Sequence, residues 1–300
     1  MTDLQIGIDL GGTKIAGMAL NAGGDVLAST RVATPKDDYD GALDAIAAVV
    51  AKLETQAGGT GTVGVATPGS ISPRTGVFQN ANSTWLNGRS FPADLEAKLG
   101  RAVRTANDAD CLALSEATDG AGKGHRTVFG VIVGTGCGGG IVHDGSLLSG
   151  PHSATGEWGH VPLPWARDDE RPGPDCWCGQ RSCLETWLSG TGLEDDYERA
   201  GGRRLTGEAI VTAAAGGDAA AQGCLDRHAS RLGRGLAMIV NILDPDIVVL
   251  GGGLSQLEHL YNVVPALAAP YIFADHANLT LAPPVHGDAS GARGAAWLWT

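Results

Sequence analysis

A pattern carried twice constrains this chain more than anything else in it: a short apolar strand, a glycine turn, then a second strand. The first copy runs from a strand at Gln5–Leu10 through the turn Gly11-Gly12-Thr13-Lys14 to a strand at Ile15–Leu20. A turn at Asn21–Gly24 and a third strand at Asp25–Thr30 complete a meander. The second copy has a strand at Val128–Val133, glycines from Gly134 to Gly140, a strand at Ile141–His143, the turn Asp144-Gly145 and a strand at Ser146–Leu148. Duplication of such a unit predicts two related lobes, each offering a phosphate-facing glycine loop to a shared cleft.

Helices fill the intervals and make the chain α/β. Leu43, Ile46, Val49, Val50 and Leu53 recur at helical spacing. Pro92–Leu99 and Cys111–Ala117 predict two more helices, separated by a strand at Ala102–Thr105. Leu225, Leu232, Leu236, Ile239, Val240 and Leu243 mark a long amphipathic helix that stops at Asp244-Pro245. Ile247–Leu250 is a buried strand, followed by Gly251-Gly252-Gly253 and a helix from Gln256. The expected organisation is a small lobe over 1–117 and a large lobe over 118–287. The closing helix at 288–300 returns to the small lobe, and an insert at 156–185 belongs to the large one.

Two nucleotide motifs almost match and fail on context. Gly7 and Gly12 have the separation of a Walker A loop, but Thr13-Lys14 reverses the order Lys-Ser/Thr. Gly134, Gly136 and Gly139 satisfy G-x-G-x-x-G, yet that fingerprint must open a helix, and strand and turn residues follow here. Glycine is abundant, at 46 residues without a collagen period, which indicates tight turns and close backbone approaches.

The insert carries Cys176-Trp177-Cys178 and Cys183, with His160 upstream. Three thiolates and one imidazole form a complete tetrahedral Cys3His set for Zn²⁺. A Cys176–Cys178 or Cys178–Cys183 disulfide is the competing use of these thiols, and a reducing compartment disfavours it. A closed four-ligand site leaves no place for an activated water, so the metal is expected to be structural. Glu157 and Glu185 bracket it as candidate site carboxylates, or as ordinary surface glutamates. Cys111, Cys137 and Cys224 read as small core residues.

Charge and hydropathy narrow the partners. A net charge of −12 with scattered basic residues argues against nucleic acid. No apolar run approaches a membrane span and no signal pattern opens the chain, so a cytoplasmic protein without membrane contact is expected.

Other polar residues have two readings each. Asp9 stands where the first strand meets its glycine turn, beside amides that could face phosphate, or it simply enters a hairpin. The loop Asn80–Gly88 holds Asn82 among amides and Trp85, a composition suited to sugar hydroxyls and C–H faces and equally to a plain turn. Asp108 fits a helix N-cap, or a general base with Asn107 orienting the hydroxyl, while Asp110 decorates the first turn. Gly251-Gly252-Gly253 is a tight strand-to-helix turn, or a place where backbone passes close to adenosine.

Taken in order, Ile8-Asp9-Leu10-Gly11-Gly12-Thr13-Lys14, Asn107-Asp108-Ala109, Gly134-Thr135-Gly136, Glu157-x-Gly159-His160, the cysteine pattern and Gly251-Gly252-Gly253 resemble the ROK family of repressors, open reading frames and sugar kinases. The resemblance runs over nearly the whole chain, and its nearest likeness is to bacterial fructokinases, including those that accept mannose. It implies a two-lobed actin-like, or ribonuclease H-like, fold with ATP and sugar in the interlobe cleft. It implies Asp108 as the base, with Asn82, Asn107, Glu157, His160 and Glu185 on sugar hydroxyls. It also implies that Gly11, Gly12, Thr13, Lys14, Gly134, Thr135 and Gly136 face the ATP phosphates, with Gly251, Gly252 and Gly253 at the nucleoside. Mg²⁺ is expected on ATP with Asp9 in its outer shell, and a homodimer is what the family suggests. Ser182 departs from the pattern, standing where the family usually has glycine before the third cysteine.

The expected reaction is in-line transfer of the γ-phosphoryl group of Mg-ATP to the 6-hydroxyl of fructose. Glucokinase, mannokinase and N-acetylglucosamine kinase are the alternatives within that chemistry. A sugar-responsive repressor is a different class; it would carry a DNA-binding helix-turn-helix before a strand that here begins at Gln5. A non-catalytic sugar sensor is disfavoured because base and phosphate turns occur together.

Overall fold

The computed structural model describes residues 4–81, 83–201 and 203–300, so Asn82 lies outside the described residues. Two compact units result. The first comprises Met1–Gly124, Gly140–Thr155 and Val285–Thr300, the second His125–Gly139 and Gly156–Pro284. Residues 140–155 thus group with the first unit, where the sequence reading had them in the second lobe.

The first unit is built on a sheet of order β3-β2-β1-β4-β7, with β1 Gln5–Leu10, β2 Lys14–Leu20, β3 Val26–Ala33, β4 Thr62–Thr67 and β7 Val103–Asn107; a small hairpin, β5 Ser70–Ile71 with β6 Phe78–Gln79, lies between the last two in sequence. The meander pairs antiparallel, Ile8 opposite Gly17, and β1 then pairs parallel with β4, Ile8 opposite Val65. Side chains alternate across this sheet. Ile6, Ile8 and Leu10 point to one face, where helix α1 (Tyr39–Ala57) buries Ile46, Val49, Val50 and Leu53 against them. Leu86 and helix α2 (Phe91–Leu99) join the same core.

The opposite face has no side chain at Gly7 or Gly64, and the closing helix (Ser290–Ala296) fills that space. A Cβ on Gly7 would stand 1.8 Å from the Ala292 carbonyl oxygen, and one on Gly64 1.9 Å from that of Ala295. Gly7 is therefore a docking surface for the C-terminal helix. Helix α3 (Asp108–Asp119) supports the return. Its buried Glu116 accepts hydrogen bonds from Ser290 Oγ and the Val285 and His286 amides, and Asp119 pairs with Arg293 and His286.

The helix with Asp108 starts earlier than expected. Strand β7 runs to Asn107, opposite Thr67, and passes straight into α3 without a loop. Asn107 is the cap, its side chain accepting from the Ala109 amide at 2.9 Å, and Asp108 is the first helical residue rather than the cap.

In the second unit the strand order is β9-β8-β11-β12, with β8 Thr127–Val133, β9 Cys137–His143, β11 Ile247–Gly251 and β12 Leu281–Ala282. Only Cys137–Gly139 of β9 belongs to this unit; Gly140–His143 belongs to the first, where His143 pairs with Ser146 of β10 (Ser146–Leu147). The run Gly138-Gly139-Gly140 is thus strand, not turn. The lack of Cβ serves packing: one on Gly139 would be 2.9 Å from the Phe129 ring and from the Gly156 carbonyl oxygen. Helices α4 (Glu185–Leu188), α5 (Gly190–Arg199) and α6 (Gly207–Ala215) lead to α7 (Ala219–Leu243), capped by Asp218 and stopped by a left-handed Asp244. After β11, Gly253–Gln256 forms a 3₁₀ turn and the α-helix α8 runs from Glu258 to Ala268. No helix among the described residues is long and apolar enough to cross a membrane.

Candidate active site and metal centre

In the first unit, Asp9 closes β1 beside the turn Gly11–Lys14. Burial pushes its carboxyl up to about 6, Lys14 opposing and Asp288 adding to the shift. The turn is tied by the Gly11 amide to the Lys14 carbonyl at 3.0 Å and by Thr34 Oγ1 to the Gly11 carbonyl at 2.7 Å. Neither Gly11 nor Gly12 has a positive φ, so left-handed freedom is not why they are glycine. A Cβ on Gly11 would meet the Lys14 carbonyl at 3.0 Å, whereas one on Gly12 would find Ser83 Oγ no nearer than 3.7 Å. A side chain at Gly12 would thus make only an ordinary contact among the described residues. Thr13 is exposed, and Lys14 Nζ pairs with Asp288 at 3.4 Å.

Asn107 and Asp108 sit at the junction of β7 and α3. Asn107 Nδ2 donates to the Gly69 carbonyl at 3.3 Å, and Asp108 Oδ1 accepts from the Ala109 amide at 2.8 Å. Both side chains are fixed by backbone groups of their own unit.

In the second unit, the loop Gly134-Thr135-Gly136 closes with the Gly134 amide on the Gly136 carbonyl and receives the Gly190 amide on the Gly134 carbonyl at 2.7 Å. Gly252 adopts a left-handed φ of 80°, and its missing Cβ lets it pass the Val133 carbonyl. Gly251 ends β11 and Gly253 begins the 3₁₀ turn.

Ligand atoms of His160, Cys176, Cys178 and Cys183 all lie within 4.8 Å of one another. Cys178 Sγ is 3.7 Å from Cys183 Sγ, and His160 Nδ1 is 3.7 Å from Cys176 Sγ. A tetrahedral zinc with bonds of about 2.3 Å to sulfur has S···S edges of about 3.8 Å. The set therefore fits such an ion in donor chemistry and in spacing. All six cysteines are free thiols in this structure, and the 3.7 Å between Cys178 and Cys183 matches a tetrahedral edge rather than a disulfide. Ser182 takes a φ of 63°, a conformation that glycine adopts without strain, so the departure from the family pattern falls on a backbone position that favours glycine. Its Oγ accepts from Trp187 Nε1 at 3.2 Å.

Around this cluster the predicted carboxylates gather. Glu185 Oε2 accepts from the Cys137 amide at 3.0 Å, which follows the Gly134–Gly136 loop, and Oε1 accepts from Trp177 Nε1 at 2.6 Å. Glu157 is held above the ordinary carboxylate range by burial, with His160 opposing and Glu185 adding to the shift. Trp177 was not singled out from the sequence. Its indole stands edge-on to His160 at 5.0 Å between ring centroids and fixes Glu185. The signal was present in its place between two cysteines of the candidate metal set.

Comparison with known proteins now decides the family. A model of the ROK family matches residues 5–300. This chain belongs to the ROK family. An N-acetyl-D-glucosamine kinase of Photobacterium profundum is 41% identical over 299 residues, covering 98% of this chain and 99% of that protein. One from Vibrio cholerae is 40% identical over the same shares. Among solved structures, a ROK hexokinase from Thermus thermophilus aligns with a TM-score of 0.87 at 33% identity, over 98% of this chain and 96% of that one. A ROK glucokinase from Streptomyces griseus, in complex with glucose and AMPPNP, aligns at 0.81 and 28% identity, over 98% of each chain. The fold is the α/β fold of ROK sugar kinases, as expected. The two curated relatives named here are N-acetyl-D-glucosamine kinases rather than the fructokinases that the sequence favoured.

Proposed function

We propose that this ROK sugar kinase transfers the γ-phosphoryl group of ATP to the 6-hydroxyl of N-acetyl-D-glucosamine. The observation that carries this sugar over fructose is the near-full-length similarity, at 41% and 40% identity, to kinases named for it.

In this reading Asp108 accepts the proton of the 6-hydroxyl, oriented by the Ala109 amide on its Oδ1. Asn107, Glu157, His160 and Glu185 hold the other hydroxyls, and Asn82 retains that assignment from the sequence. With Nδ1 of His160 turned to the cysteines, Nε2 is the nitrogen that meets the sugar. Glu185 is presented in one rotamer because both its oxygens are engaged, one by Trp177 and one by Cys137.

The loops Gly11–Lys14 and Gly134–Gly136 receive the phosphates, and Gly251–Gly253 the nucleoside. The missing side chain at Gly12 supports a close approach there. Mg²⁺ bound with ATP supplies charge neutralisation on the phosphates. Asp9, whose ionisation burial opposes, gains most from a neighbouring cation. His160, Cys176, Cys178 and Cys183 would hold Zn²⁺ in a closed structural site.

The test is ADP release from Mg-ATP with N-acetyl-D-glucosamine, glucose, mannose and fructose in parallel. The highest kcat/KM is expected on N-acetyl-D-glucosamine. A higher value on another sugar would overturn the choice of substrate and leave the phosphoryl transfer intact.

A further inference from the structure

A cavity of 510 Å³ opens in the second unit, and none of Glu157, His160 and Glu185 lines it. Arg171, Arg199, Arg227 and Arg231 surround it, with Trp187 and Asp196. Within the lining, Glu170 is buried against Arg231 at 3.0 Å and against Arg234, which lies behind it, at 2.6 Å. Asp196 is shared by three guanidiniums: Arg231 and Arg227, each at 2.7 Å, and Arg199 at 3.6 Å.

The charges do not close. Arg171, Arg199, Arg227, Arg231 and Arg234 bring five positive charges to the four negative charges of Asp168, Asp169, Glu170 and Asp196. The mouth contact of Arg171 with exposed Asp168, at 3.9 Å, adds little in water. One positive charge is left over in a chain whose net charge is −12. Both carboxylates are only 4% and 6% exposed, so the network is poorly screened. Arg227 Nη2, although close to Asp196, is buried and not aligned to donate to any acceptor among the described residues.

Trp187 makes the arrangement rigid. Arg231 lies over its ring at 4.4 Å and Arg199 at 5.2 Å, so both guanidiniums are fixed against the indole. Planar guanidinium forks held in place around an open volume are suited to phosphate oxygens, which they bind in pairs.

We propose that this arginine-lined cavity is a second ligand site of the kinase, taking a phosphate dianion, either inorganic phosphate or a sugar phosphate. The site is independent of which sugar is phosphorylated. Its occupant supplies the missing negative charge and accepts from the exposed guanidiniums of Arg171 and Arg199.

Calorimetric titration of the intact protein with inorganic phosphate and with N-acetyl-D-glucosamine 6-phosphate, against sodium chloride at equal ionic strength, tests this. N-acetyl-D-glucosamine and a non-hydrolysable ATP analogue are kept saturating so that the active site is filled. Wild-type protein is expected to bind one or both phosphates, which distinguishes the two sources. Arg199→Gln is expected to weaken that binding about tenfold or more, the loss of a hydrogen bond to a charged group. Kinase turnover without added phosphate should stay within about twofold, an unresolved change on the energy scale of single interactions. Arg171→Gln, at the more exposed mouth, repeats the test should Arg199→Gln not fold. Absence of binding beyond the chloride control, or equal binding by the glutamine variants, would overturn the proposal.

Discussion

The two units hold their candidate site residues by different physics. In the first, Asn107 and Asp108 are set by a strand that runs directly into a helix, in a sheet whose core holds Ile6, Ile8, Val63 and Val65. In the second, Glu157, His160 and Glu185 lie in or beside a stretch whose regular structure before α4 amounts to 3₁₀ turns at Trp158–His160 and Asp168–Glu170 and the isolated bridges Pro162↔Cys183 and Asp175↔Arg181. Apolar burial positions the one; convergence of four ligand atoms positions the other. The contrast teaches that damage to packing and damage to the metal cluster should have separable effects.

The largest effect is expected from the smallest added group. Gly7→Ala puts a methyl 1.8 Å from a backbone oxygen of the closing helix. Denaturant unfolding should show a loss of more than about 3 kcal/mol, because backbone must shift on one side of the sheet. Gly12→Ala, whose methyl would meet Ser83 Oγ only at an ordinary 3.7 Å, should fold normally and raise the KM for ATP. Equal stability of the two variants would break the account of the first unit.

Next comes the cluster. Cys183→Ser, or prolonged chelation, is expected to raise the sugar KM tenfold or more, roughly the scale seen when metal-site support is lost. Metal analysis should find zinc in the untreated protein and little in the variant. Unchanged sugar affinity in metal-free protein would show that the loop holds itself.

A smaller effect sharpens the same comparison. Trp177→Phe keeps a ring beside His160 and removes the N–H that donates to Glu185. A rise in sugar KM of about fivefold is expected, on the scale of an ordinary hydrogen bond because Trp177 acts on the sugar only through Glu185, with zinc content unchanged. If Trp177→Phe lowers zinc content as well, the indole belongs to the metal centre and not to Glu185.

Much of this was legible in the sequence because it is local. The meander, α1, α7 and the ligand set His160, Cys176, Cys178 and Cys183 follow from strand alternation, helical spacing and donor chemistry. What escaped depends on partners distant along the chain. Gly7 reads only as a strand glycine until Ala292 is seen above it, and Gly138–Gly140 reads as a turn until Phe129 and Gly156 close on Gly139. Asp108 looked like a cap because Asn107 offers the same cap one residue earlier, and only the register of β7 with β4 shows which of them caps the helix. The surplus of arginines around Glu170 and Asp196 was invisible for the same reason, since α5, α7 and the insert meet only in three dimensions.

The most direct test of the division between base and sugar grip is Asp108→Asn, read by calorimetric binding of N-acetyl-D-glucosamine beside steady-state ADP release. The account predicts sugar affinity within about threefold of wild type and turnover lowered by roughly 100-fold or more, the scale of general-base catalysis. Near-normal turnover, or loss of sugar binding with the fold intact, would contradict it.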